Sequence, residues 1–166
     1  MTMLGPAAGS GGTTGSIAGN VTDNGTLTFN RSDAVTYAGL VTGTGALIQL
    51  GGGTLTLTGN NSYTGGTAIG AAGTLQLGDG GTTGSIVGNV TDNGTLVFNR
   101  SDVVTYAGVV AGTGSVIQAG SGTTILTGNN TYLGGSNPPG TPRSRVLATG
   151  CKLPGTPAMQ ASRSAS

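Results

Sequence analysis

The chain has 166 residues, of which 35 are Gly, with 7% charged and 4% aromatic residues and a formal net charge of +1. All five of its acids are Asp and it has no His, so it cannot assemble a Ser-His-Asp or Cys-His triad and lacks the commonest proton-transfer and metal ligand. One cysteine, Cys151, rules out an internal disulfide, no apolar run approaches the roughly 18 residues of a spanning helix, and there is no basic stripe for nucleic acid.

Residues 1–11 read as a disordered lead. Met-Thr-Met-Leu-Gly-Pro-Ala-Ala has neither a basic start nor a long apolar stretch, so it does not read as an export signal. From residue 12 to 136, Leu, Ile and Val alternate with Thr and are punctuated by Gly, Asn and Asp. That pattern predicts many short strands joined by tight turns. All-β is the expected class.

The strand region is duplicated. Residues 12–67 align without a gap to residues 81–136 at an offset of 69, and about 42 of the 56 pairs are identical. The copies are taken as 12–80 and 81–136. Self-similarity at long period marks solenoids, propellers or arrays. Inside each copy a shorter repeat recurs: Gly-Thr-Leu begins at Gly25, Gly53, Gly73 and Gly94, and Gly-Thr-Thr begins at Gly122. The steps are of two kinds, a longer one from Gly25 to Gly53 and from Gly94 to Gly122, and a shorter one from Gly53 to Gly73 and on to Gly94. These spacings predict a β-solenoid of about five coils, each one turn of a right-handed parallel β-helix.

Alternation then predicts inward rows, because residues two apart share one face of a strand. Leu27, Leu55, Leu75 and Leu96 are expected in one row, and Phe29, Leu57, Leu77, Phe98 and Leu126 in another. Thr124-Ile125 stands where the first copy has Leu55-Thr56, which turns Thr inward unless a bulge corrects it. The longer step is read as a longer coil whose excess, residues 30–37 and 99–106, protrudes. Arg31, Asp33 and Tyr37, with Arg100, Asp102 and Tyr106 about 14 Å above them, are the candidate binding residues. The competing reading is an Arg–Asp pair within the loop and a Tyr packed on the wall.

Beyond residue 136 the composition changes. Residues 1–136 carry two Arg and five Asp, a balance of −3, whereas residues 137–166 carry four cations and no acid, together with five of the six prolines. Residues 137–166 read as a disordered Pro/Arg-rich tail and, given the abruptness, as an out-of-frame continuation.

The stretch Gly-Thr-Leu-Thr-Leu-Thr-Gly-Asn-Asn-Ser-Tyr-Thr-Gly-Gly-Thr at 53–67, followed by Gly-Thr-Leu-Gln-Leu at 73–77 and led by Gly-Thr-Gly-Ala-Leu-Ile-Gln at 43–49, resembles the autotransporter-associated β-strand repeat. The resemblance implies a right-handed parallel β-helix from the passenger of a Gram-negative outer-membrane autotransporter. It also implies a surface stalk or adhesive module rather than an enzyme, facing host-cell or bacterial surface components.

No catalytic residue, cofactor or metal site is expected. The Asp residues read as turn formers beside Gly and Asn, and Leu-Gly-Asp-Gly-Gly at 77–81 does not recur at the nine-residue period that calcium-binding repeats need. Two other functions compete: a β-helical polysaccharide-active enzyme, which would need paired carboxylates, and a Thr-ladder ice- or surface-binding solenoid. Open solenoid ends predict self-association, since solenoids need polar caps.

Overall fold

The computed structural model describes residues 2–3, 11–137 and 145–148. All regular structure among them is strand, every pairing between named strands is parallel, and the strands stack as a β-solenoid of about six turns.

Each turn carries three short strands, one on each of three faces, and the chain visits the faces in a fixed cycle. The first face holds Thr2–Met3, Val21–Asp23 and Val41–Thr42, then the Asn60–Ser85 bridge, then Val103–Tyr106, Thr123–Leu126 and Arg145–Ala148. The second holds Thr26–Phe29, Ala46–Gln49, Thr67–Ile69, Val90–Asp92, Val110–Gly112 and Thr131–Tyr132. The third holds Val35–Tyr37, Thr54–Leu57, Thr74–Leu77, Thr95–Phe98, Ser115–Gln118 and Ser136–Asn137.

The strands are short because each face is narrow and ends at a Gly, Asn or Asp corner. Those corners hold the left-handed backbone and the close approaches that a side chain would forbid. A Cβ on Gly108, for example, would meet the carbonyl oxygen of Gly88 at 1.9 Å.

The core fills the inside of the prism. On the third face Leu55, Leu75, Leu96 and Val116 are paired directly, as are Leu57, Leu77 and Phe98, and all are buried. Burying each such side chain contributes on the order of 1.5–3 kcal/mol. The rows differ from expectation at their ends. Leu27 and Phe29 lie on the second face, against Leu47 and Gln49, while Leu126 lies on the first face against Tyr106. All of these are buried nonetheless.

The physical reason is that Gly-Thr-Leu marks a strand, not a face. All three faces carry the same in–out alternation, so the shorter step between these motifs is one turn, while the longer step is one turn plus one face. Leu55 pairs with Leu75, one turn on, whereas the one-turn partner of Leu27 is Leu47. There is therefore no long coil with a bulge: Val35–Tyr37 and Val103–Tyr106 are strands of the wall itself.

Of the segment read as a tail, Asn137 continues the strand Ser136–Asn137, which pairs with Ser115–Gln118, and Arg145–Ala148 pairs with Thr123–Leu126. Of the segment read as a disordered lead, Thr2–Met3 pairs with Val21–Asp23 and Gly11 donates to the Asn30 carbonyl; the remainder of the expected lead and tail, Cys151 included, lies outside the described residues.

Candidate functional site

Arg31 and Arg100 sit at corners where one face hands over to the next. Arg31 donates from Nε to Asp33 Oδ1 at 2.8 Å and from Nη2 to Asp33 Oδ2 at 2.6 Å. Arg100 grips Asp102 in the same fork, at 2.9 and 2.7 Å. The rest of each guanidinium faces the preceding turn: Arg31 donates to the carbonyls of Thr13, at 2.6 Å, and Gly15. Arg100 donates to those of Thr82 and of Gly84, the latter at 3.1 Å.

A planar fork that engages a carboxylate on one side and two carbonyls on the other is a geometry only Arg supplies. Each Asp holds its Arg, and each Arg clamps the Thr-Thr-Gly loop one turn below. Hydrogen bonding to Arg31 holds the Asp33 carboxyl below the usual carboxylate range and raises Arg31 in turn, and Arg100 likewise lowers Asp102. These are wall clamps, in line with the competing reading.

Tyr37 and Tyr106 do not protrude. Each is buried, packs its ring beside Phe29 or Phe98 at centroid distances of 5.9 and 6.1 Å, and donates its hydroxyl to the carbonyl of Gly19 or Gly88. Burial pushes both phenols upward. Nor do the two triads lie over one another. Arg31 is at the corner between the second and third faces, Arg100 at the corner between the third and the first.

The other acids also serve the wall. Asp23 and Asp92, fully buried at strand ends, each accept the amide of the Gly two residues on, Gly25 at 2.9 Å and Gly94 at 3.0 Å. Among the described residues their Oδ2 atoms have no hydrogen-bond partner. Burial raises Asp92 to about 6 despite the Gly94 and Leu96 amides. Among the described residues no three His, Cys, Asp or Glu side chains come close enough to hold a metal ion.

Sequence reasoning missed the asparagine braces. Asn20, Asn24, Asn89 and Asn93 each accept, on Oδ1, a backbone amide one turn later in the chain, those of Leu40, Thr44, Val109 and Thr113. Asn61 and Asn130 reach back to the amides of Val41 and Val110. The signal was available: each brace joins positions whose numbers differ by 20, the commonest turn length.

The register also bears on the Thr ladder. Thr54, Thr74, Thr95 and Ser115 align in one outward row of the third face. The neighbouring row runs Thr36, Thr56, Gln76, Val97 and Ile117. Both ranks therefore carry hydroxyls together in one turn only, that of Thr54 and Thr56, and no flat two-rank array forms on this face.

A parallel solenoid in which Arg31, Arg100, Tyr37 and Tyr106 brace adjacent turns defines a β-solenoid repeat protein. Residues 47–77 and 116–137 match the passenger-associated-transport-repeat family, and the second match begins at Val116, the counterpart of Leu47, one face further round. The chain is also similar to the adhesin BmaC autotransporter of Brucella suis biovar 1 (strain 1330), with 40% identity over 116 aligned positions covering 58% of this chain and 3% of that protein. No solved structure matches the chain. Residues 47–77 and 116–137 thus look like passenger repeats, and the chain is similar to part of an autotransporter passenger.

Proposed function

We propose that the chain is a length-giving and display segment of a cell-surface adhesin, exported through the outer membrane as part of a longer passenger, and that it carries no catalysis. One observation carries this reading. Among the described residues, Arg31, Asp33, Arg100 and Asp102 form forks that clamp adjacent turns, and the buried Asp23 and Asp92 cap corners. The similarity to an autotransporter adhesin supports the surface setting. Its partners would be components of host or bacterial surfaces, met through the exposed Thr, Asn and Ser side chains of the outer wall.

The test is to insert the full chain between an export signal and a translocating β-barrel. Cells should display it to external protease and gain adhesion or clumping over cells that carry the barrel alone. Display without any gain would sink the adhesive role and leave only a spacer. Release of sugars from offered polysaccharides would overturn the non-catalytic reading.

A further inference from the structure

The duplicated unit does not contain a whole number of turns. The strands of the first copy from Val21–Asp23 through Thr54–Leu57 have their 69-residue counterparts on the next face. Val21–Asp23, on the first face, corresponds to Val90–Asp92 on the second; Thr26–Phe29, on the second, corresponds to Thr95–Phe98 on the third; and Val35–Tyr37, on the third, corresponds to Val103–Tyr106 on the first. The matching corners shift likewise. A Cβ on Gly51 would meet the Arg31 backbone at 2.1 Å, and Gly51, Gly73 and Gly94 are stacked at that one corner. Arg100 instead stacks under Gly120 at the next corner.

We infer that the 69-residue unit is a face-shifting display unit: each copy presents the same exterior one-third of a turn further round the axis. Within this chain the exposed set Asn24, Ser32, Thr36 and Thr44 recurs as Asn93, Ser101, Thr105 and Thr113, on different faces and corners. The axial advance is three turns and one face, about 16 Å at a strand spacing of about 4.8 Å. The shift is tolerated because all three faces bury the same pattern, so a strand can change face without turning its Leu or Phe outward.

The partner this surface fits is a compact one that reads a single patch of one copy, such as Ser32 with Thr36, so that two such partners engage one chain independently from two sides. A linear ligand lying along one face would meet a given patch in only one of the two copies. In an uninterrupted array the same exterior would return to the same face after three copies, about 48 Å along the axis. This deepens the adhesive reading, and rests on it for the identity of the partner but not for the geometry.

The experiment uses an artificial probe, so it can fail independently of adhesion. In the full chain carrying Cys151→Ser, Ser32→Cys and Ser101→Cys are introduced singly and together. Each is coupled to biotin through a short linker and titrated with monovalent streptavidin, which is far wider than the axial offset. Both serines are exposed, and the circular dichroism of each variant should match that of the parent. The double variant should bind two probes, each with the affinity seen in the corresponding single variant, to within about twofold. A stoichiometry of one, or a second affinity at least tenfold weaker, would mean that the copies stack on one side and would overturn the inference.

Discussion

Gln118 and Thr124 show how a single residue decides whether the wall closes. Thr124 points inward where the first copy has Leu55, with no bulge, and Ile125 points outward. The inward hydroxyl is satisfied: it donates to Gln118 Oε1 at 2.6 Å, while Gln118 Nε2 donates to the Gly120 carbonyl. Thr124→Val keeps the shape but strands a buried carbonyl oxygen, a loss of about 1–3 kcal/mol. Urea denaturation should show a lower midpoint with an unchanged slope.

Asp92 acts in the opposite sense. Its folded pKa, about 6, lies above the ordinary value of 3.8 because burial disfavours the charge. Its contribution to stability is therefore fully present below pH 3.8 and is lost as pH rises through 6. Asp33 and Asp102, held low by their Arg partners, lose their contributions only at more acid pH, so the window from about 4 to 6 belongs to Asp92. Asp92→Asn should raise stability at pH 7 by about 1 kcal/mol, less than the full shift implies because nearby solvent screens the charge. The gain should vanish near pH 4. Melting curves that rise equally at both pH values would contradict this cause.

At the scale of the element, corners rather than strands set the tolerance to change. Gly108 is half-buried, and a Cβ there would meet the Gly88 carbonyl at 1.9 Å and the Tyr106 hydroxyl at 2.7 Å, whereas one on Gly81 would meet nothing closer than 3.8 Å. Gly108→Ala must push two turns apart or expel Tyr106 from its bond with Gly88. It should lower the melting temperature by several degrees, corresponding to roughly 1–3 kcal/mol. Gly81→Ala should leave it nearly unchanged. Equal effects would mean that turn spacing is not set at these corners.

Strands and their inward residues were legible in the sequence, because alternation with Thr and Gly-bounded length are local signals. Leu27, Leu55, Leu75 and Leu96 could be picked as core from their own neighbours. What could not be read was which face each strand occupies. Leu27 and Leu96 sit in identical Gly-Thr-Leu contexts yet lie on different faces, since three equivalent faces make the longer step look like a long turn. The candidate site misled for a related reason. The chemistry of Arg31 depends on the carbonyls of Thr13 and Gly15, which are 18 and 16 residues away and recognisable only once the turn length is known. The pairing of Arg31 with Asp33 was legible because it is local.

For the whole molecule, the decisive feature is that a parallel solenoid ends in open rungs. Among the described residues Thr131–Tyr132, Ser136–Asn137 and Arg145–Ala148 each pair on one side only, as do Thr26–Phe29 and Val35–Tyr37 at the other end. Unpaired strand edges recruit further strands, and because the three faces share one inward pattern, the last rung of one chain matches the first rung of another in width and chemistry. Leu133 and Leu147 are also both exposed near that end. The full chain should therefore associate end to end, its weight-average sedimentation coefficient rising with concentration. Leu133→Lys together with Leu147→Lys would place cations at that end, the device by which natural edge strands resist pairing, and should shift the midpoint of association at least tenfold upward in concentration without altering the melting of dilute protein. A wild-type chain that sediments as a monomer at every concentration, or a double-lysine variant that associates as readily, would show that the solenoid ends do not attract one another.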